Sequence, residues 1–133
     1  MQAVRFHNYL MDDILKKLDA KTKNRLIGAL RQEFKYSALF KEAKQRARAE
    51  KTEGLYLNGR QKVRVYYVCA HCKGYEKDKN IHVDHKVPIG PQGYSLDDWI
   101  RRAWCLDSGG VDNLQVLCKS CHIKKTAKER ASR

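Results

Sequence analysis

Two Cys-x-x-Cys pairs constrain this chain more than any other feature. Cys69 and Cys72 form the first pair, and Cys118 and Cys121 form the second. Each pair can hold one metal ion from a tight turn, and four thiolates complete the closed tetrahedral coordination that structural zinc prefers. The sequence therefore predicts one structural Zn²⁺ bound by all four cysteines. Disulfide formation or thiol-redox chemistry is the main alternative.

The spacing between these two pairs, or knuckles, is unusual. Forty-five residues separate Cys72 from Cys118, whereas a zinc ribbon usually has about 15–20. A further segment is therefore expected between the knuckles. Cys118 to His122 also matches the Cys-x-x-Cys-His attachment motif of c-type haem. That interpretation requires an exported protein and leaves the first knuckle without a role, so zinc is preferred.

The charge balance indicates the class of partner. The 133 residues include 28 Lys and Arg against 15 Asp and Glu, a formal net charge of +13. Such an excess favours a nucleic acid as partner, with general solubility as the alternative explanation. Charged residues from Asp12 to Lys17 interrupt the N-terminal apolar pattern. The sequence therefore predicts no signal peptide, no membrane span and a cytoplasmic protein, and leaves the oligomeric state open.

Residues 1–60 are predicted to form a basic helical extension. Apolar spacing indicates a first helix over 3–18 and a second ending near Phe34, with Thr22 as its N-cap. A third helix is expected to follow Ser37. This third helix is predicted to carry a basic stripe, which either contacts a phosphate backbone or is a solvated helix face. The stripe consists of Lys41, Lys44, Arg48 and Lys51.

Residues 61–133 are expected to form a second, mixed domain. The Asn58-Gly59 pair predicts a tight turn before it. Trp99 and Trp104 have helical spacing and are interpreted as core residues, and Cys105 as a small buried side chain. The patterns predict, in chain order, strands over 63–68 and 81–87, an inserted helix at about 95–105 capped by Ser95, a strand over 114–117 and a basic helix over 122–131.

The polar residues around the second knuckle follow a strand, strand, helix order. Asp84-His85 ends one strand, Asn113 precedes the next strand, and His122 begins the following helix. This pattern, over about residues 66–128, resembles the HNH nuclease family, including its branch with flanking cysteine pairs. Residues 36–48 and the insertion that contains Trp99 and Trp104 are similar to small HNH endonucleases of bacteriophages. The resemblance implies an α+β fold, in which a four-cysteine zinc site holds a ββα-metal core that carries an N-terminal helical extension.

The resemblance also implies roles for individual residues. His85 would be the general base of a metal-dependent DNA endonuclease, a phosphodiester hydrolase. Asp84 and His122 would bind one catalytic divalent cation, Mg²⁺ or Mn²⁺, with Zn²⁺ and Ni²⁺ as further candidates. Asn113 would either hold the loop that orients His85 or be a ligand itself, and the sequence does not decide between these roles. His82 is interpreted as a supporting residue or a phosphate contact.

DNA is the expected partner, contacted through its backbone and minor groove. The resemblance further implies phage DNA-packaging proteins as partners. The alternative function is a zinc-stabilised DNA-binding accessory module without cleavage, which would have no need of a base beside a metal ligand. The residues predicted to contact DNA are Lys41, Lys44, Arg48, Lys51, Lys86, Arg101, Arg102, Lys124 and Lys125.

Overall fold

The computed structural model describes residues 17–90 and 95–132. The helix predicted over 3–18 lies outside these residues except for Lys17 and Leu18, which form a turn. Within the described ranges, every helix is too short or too polar to cross a lipid bilayer.

Two helices open the described chain. Helix α1 spans Ala20–Phe34 and helix α2 spans Ala38–Ala47. The side chain of Asp19 accepts a hydrogen bond from the Thr22 N–H, so Asp19 is the N-cap of α1 and the prediction of Thr22 is wrong. The cap lies three residues earlier because an N-cap side chain binds the N–H of the third helical residue. Helix α2 follows Ser37 as predicted, and Ser37 is its N-cap, since its Oγ accepts from the Phe40 N–H.

A three-stranded antiparallel sheet follows, in the order β1, β2, β3. Its strands are β1 (Arg48–Leu55), β2 (Gln61–Val68) and β3 (Tyr75–Glu76). The prediction that the basic stripe lies on one helix is therefore wrong. Helix α2 ends at Ala47, and Arg48 and Lys51 lie on β1. Pairing of β1 with the β-branched and aromatic residues of β2 outweighs the helical pattern. Residues 48–60 are thus a strand and a turn. The predicted Asn58-Gly59 turn is confirmed, with Gly59 at φ +83°.

The ββα unit occupies the C-terminal half. Strand β4 (Ile81–His85) pairs antiparallel with β5 (Leu114–Cys118), and helix α4 (Lys119–Ala131) follows directly. Helix α3 (Leu96–Ala103) is inserted between the two strands and is capped by Ser95, as predicted. The expected α+β fold with a ββα core is confirmed.

One hydrophobic cluster joins the N-terminal helices to the ββα unit. Phe34 of α1, Ala43 of α2, Cys105 and Leu114 of β5 are buried together. Trp104 packs edge-on against Phe34, with ring centroids 5.3 Å apart. The predictions that the tryptophans belong to the core and that Cys105 is buried are confirmed. The helices α1 and α2 therefore support β4 and β5 directly.

Candidate active site

The four knuckle cysteines converge on one point. Their Sγ atoms all lie within 4.8 Å of one another, and Cys72 Sγ is 3.9 Å from Cys118 Sγ. A tetrahedral zinc ion with bonds of about 2.3 Å needs sulfurs roughly 3.8 Å apart, so the four thiols fit one ion. Three of them are buried and Cys72 is exposed. The predicted pairing of the two knuckles around one metal is thus supported by their geometry.

The second knuckle also begins helix α4. Cys118 is its N-cap and accepts a hydrogen bond from the Cys121 N–H at 3.4 Å. Burial raises the pKa of the Cys69 thiol, but hydrogen bonds from the backbone of Cys118, Cys72 and His71 outweigh this effect and lower its pKa to about 6. A thiolate is the form that binds metal. Because Cys118 is both a member of the cluster and the N-cap of α4, the cluster holds the first turn of that helix, which carries His122.

Asp84 and His122 face each other across β4 and α4. Asp84 Oδ1 lies 3.8 Å from His122 Nε2. One divalent cation with bonds of about 2.1 Å spans ligand atoms up to about 4.2 Å apart, so this pair fits a single ion and leaves its other positions open. The His82 ring stacks on the His122 ring, with centroids 4.5 Å apart. Burial and the proximity of His122 lower the pKa of His82.

The carboxylate of Asp84 has two further partners that sequence reasoning missed or assigned elsewhere. Lys125 Nζ lies 2.9 Å from Asp84 Oδ2 and donates to the His85 carbonyl at 3.0 Å. Gln115, which is paired with Asp84 in the β4–β5 register, donates from Nε2 to the same Oδ2 at 3.3 Å. Burial lowers the pKa of Lys125, but hydrogen bonds to Glu129 and Asp84 outweigh it and the net shift is upward. Lys125 is thus bound within the site.

His85 lies on the opposite face of β4 from Asp84, as strand alternation requires. Its Nε2 is 2.8 Å from the carbonyl oxygen of Ala103 at the end of α3. A carbonyl only accepts hydrogen bonds, so Nε2 carries the proton and Nδ1 of the neutral ring keeps its lone pair. The ring stacks on Phe34 at a centroid distance of 5.6 Å. This arrangement fixes the ring and leaves a nitrogen able to accept a proton.

Asn113 holds the two residues that follow His85. Its backbone carbonyl accepts from the Lys86 N–H at 2.7 Å, and its side-chain Oδ1 accepts from the Val87 N–H at 3.0 Å. Its Nδ2 donates towards the buried Cys105 sulfur at 3.6 Å. Asn113 itself is only 6% exposed. Asn113 thus holds the chain that leaves β4 through its backbone carbonyl and its side-chain Oδ1.

Several cations predicted to contact DNA already have acidic partners. These pairs are Lys44 with Asp78 at 2.5 Å, Arg48 with Glu50 at 2.7 Å and Arg101 with Asp107 at 2.9 Å. Others are exposed on the surface: Lys41, Lys51, Lys86, Arg102 and Lys124. The structure therefore distributes the predicted cations over separate elements and brings only Lys125 into contact with Asp84.

Replacing Asn113 with alanine is expected to lower the free energy of unfolding by about 1–3 kcal/mol, because a buried acceptor for the Val87 N–H is lost. The neighbouring variant Asp112→Ala removes only an exposed contact to Arg46 and is the matched control. Chemical denaturation of both variants measures the difference. Equal effects of the two substitutions would contradict the structural importance of the Asn113 amide.

Comparison with known proteins gives one informative match. The chain is 36% identical over 77 residues to a probable HNH endonuclease of Lactococcus phage SK1, which covers 58% of this chain and 72% of that relative. No family model matches the chain, and no solved structure matches it significantly. The aligned region spans most of the phage protein. The described residues contain the ββα unit and the cysteine cluster expected from the sequence. The chain therefore belongs to the HNH endonuclease family.

Proposed function

We propose that this protein is a metal-dependent endonuclease that hydrolyses phosphodiester bonds in DNA. The observation that carries this proposal is the pair on β4 and α4: Asp84 and His122 lie 3.8 Å apart. His85 follows Asp84 in the chain, and its ring lies on the other face of β4, with Nε2 bonded to the Ala103 carbonyl and Nδ1 not used in that bond. Two ligands for one cation, at the end of a strand that also carries a base, are the minimum equipment for hydrolysis of a phosphodiester. The excess of basic residues supports a polyanionic substrate.

In this proposal His85 is the general base. Its Nδ1 takes a proton from a water molecule, which then attacks phosphorus, and the hydrogen bond to the Ala103 carbonyl keeps the ring in the required tautomer. The 3′ oxygen is the leaving group. A divalent cation bound by Asp84 and His122 would stabilise negative charge on the phosphate and on the departing oxygen.

Four other residues position this group. Asn113 holds the chain after His85 in the role of an orienting residue, since its Oδ1 accepts from the Val87 N–H and its Nδ2 donates towards Cys105. His82 fixes the plane of the His122 ring by stacking. Gln115 and Lys125 hold the Asp84 carboxylate. Mutation of such outer partners commonly lowers metal affinity by about 10–100-fold.

Two metal sites with different ligand chemistry fit different ions. The four thiols form a soft, closed set suited to Zn²⁺ as a structural ion. Asp84 and His122 supply one oxygen and one nitrogen and leave open positions, which suits an exchangeable ion such as Mg²⁺ or Mn²⁺. The first ion would hold the knuckles together, and the second would take part in hydrolysis.

A DNA-binding module without cleavage is the second candidate. The ion pair between Lys125 and Asp84 favours this candidate, because the ammonium group neutralises the carboxylate without a metal ion. The two candidates differ in whether Asp84 binds a divalent cation. Cation binding therefore distinguishes them before any cleavage assay.

The substitution Asp84→Asn is expected to weaken Mn²⁺ binding to the zinc-loaded protein by at least about tenfold, since even outer partners of a ligand have effects of that size. Isothermal titration calorimetry measures this affinity directly. Asp107→Asn alters an exposed carboxylate paired with Arg101 and is the control. Undiminished Mn²⁺ affinity in Asp84→Asn would remove the proposed metal site.

A further inference from the structure

The β1–β2 hairpin is a prominent element that the proposed reaction does not use. It spans residues 48–68 and contains five basic and two acidic residues. Residues 51–60 are exposed without exception, and β1 lies at the edge of the sheet that the described residues form. A two-stranded ribbon of this kind buries little surface of its own. The hairpin therefore adds little to the core, and its net positive charge suggests a binding role.

One face of the hairpin carries basic and aromatic side chains and one acidic residue, Glu53, which lies 3.5 Å from Arg64 Nε. The strand register places Lys51 opposite Arg64, and Lys62 is two residues away from Arg64 on the same face. Lys51 Nζ lies 3.6 Å from the centroid of the Tyr75 ring, and Lys62 Nζ lies over a tyrosine at the hairpin tip. A cation–π contact positions an ammonium group without neutralising it. The charge of both lysines thus remains available to an anionic partner.

The base of the hairpin is continuous with the active site. A depression of about 330 Å³ is lined by Arg48 from β1, by Lys73 from the first knuckle, and by Lys86 and Gln115. Lys86 directly follows His85, and Gln115 is hydrogen bonded to Asp84. Basic side chains therefore extend from the hairpin to the proposed reaction centre.

We propose that the hairpin is a second contact with duplex DNA, lying in the major groove next to the cleavage position. The inference rests on the proposed function, because it takes DNA as the substrate. The major groove of B-form DNA is about 12 Å wide and admits a two-stranded β-ribbon. Eight-residue strands are roughly 26 Å long, which lets Lys51, Lys62 and Arg64 reach phosphates along the groove.

A protein partner is the competing occupant of the hairpin. Its exposed apolar residues are Leu55, Tyr56 and Leu57 near the tip, and Val63 and Val65 on β2. A stable protein interface needs about 800 Å² and roughly 20–30 residues from each partner, more than these five provide. Charged residues along β1 also oppose edge-to-edge pairing between copies of the chain. The basic face therefore favours DNA.

The test compares two triple variants that lose the same charge. One carries Lys51→Gln, Lys62→Gln and Arg64→Gln on the hairpin; the other carries Lys21→Gln, Lys23→Gln and Arg25→Gln on α1. Affinity for a short duplex is measured by fluorescence anisotropy between about 50 and 200 mM salt, without added divalent cations, so that cleavage is not required. Melting curves establish that both variants remain folded.

The hairpin variant is expected to bind about 10- to 100-fold more weakly and to lower the slope of log affinity against log salt by about two to three, since each lost phosphate contact removes about 0.9. The α1 variant is expected to change the slope by less than about one. Methylation of guanine N7, which lies in the major groove, should weaken the wild type but not the hairpin variant.

Equal slopes for the hairpin variant and the wild type would overturn the inference, as would hairpin-dependent self-association in sedimentation with unchanged DNA affinity. Neither result concerns hydrolysis, which is tested separately by plasmid nicking. A wild type that nicks plasmid but shows no hairpin effect would thus reject the hairpin contact and retain the endonuclease.

Discussion

Replacing Cys118 with serine is expected to unfold the C-terminal half of the protein. Cys118 is buried, begins α4 and lies 3.9 Å from Cys72 Sγ within the four-thiol cluster. Structural zinc in small modules contributes an apparent binding free energy of about 10–16 kcal/mol at neutral pH, which exceeds or equals the stability of most domains. Circular dichroism and zinc stoichiometry measure the loss of structure and of the bound ion.

Cys72 and Cys105 sharpen this experiment because their burial is opposite to their expected importance. Cys72 is exposed, so a change to serine there removes little packing, yet the loss of one zinc ligand should still be strongly destabilising. Cys105 is 1% exposed but lies outside the cluster, so Cys105→Ala should retain one zinc ion per chain. Retention of zinc and of the wild-type melting curve by Cys72→Ser would contradict the proposed structural site.

The substitution His85→Gln is expected to lower the rate of DNA cleavage by about 10²–10⁴-fold, the usual contribution of a general base. A glutamine amide can still donate to the Ala103 carbonyl that His85 Nε2 contacts, so the fold around α3 should be kept. The amide cannot take the proton from water. Single-turnover cleavage at saturating DNA measures the effect on the chemical step.

His71→Ala is the matched control for the His85 variant. His71 is an exposed histidine of the first knuckle turn, outside the Asp84 and His122 pair. Its loss should change the single-turnover rate by less than about threefold, far below the contribution of a general base. A similar rate loss in both variants, or a His85→Gln variant with the wild-type rate, would show that His85 is not the base.

The elements with strong local signals were predictable from sequence. Strands β4 and β5, helix α3 with its Ser95 cap, and helix α4 all follow from apolar periodicity and capping chemistry. The knuckle pairs were also readable, because metal ligation imposes a fixed spacing on cysteine. These signals depend on a few neighbouring residues, which is why a single sequence contains them.

Strand β1 was not predictable, because its basic residues continue the spacing of helix α2. The choice between helix and strand at Arg48 depends on the pairing of Arg48 with Tyr67, a residue nineteen positions away. Pairing across such a distance is a tertiary effect that overrides local preference. The short strand β3 lies in a polar segment and has no apolar pattern at all.

The contacts that support the candidate site could not be predicted from the sequence either. Gln115 and Asp84 are brought together by the β4–β5 register, and Phe34 reaches His85 from a position fifty-one residues earlier, on α1. The position of Lys125 shows the same limit. Its charge suggested a DNA contact, but the packing of α4 on β4 directs its ammonium group to Asp84.

Cleavage of supercoiled plasmid by zinc-loaded protein tests the central claim most directly. Conversion to nicked or linear DNA is expected only after Mg²⁺ or Mn²⁺ is added, and Asp84→Asn and His85→Gln should each slow it by at least about 100-fold. If no added cation, including Zn²⁺ and Ni²⁺, allows cleavage by folded, zinc-loaded protein that still binds the plasmid, the endonuclease is contradicted and the DNA-binding module is favoured.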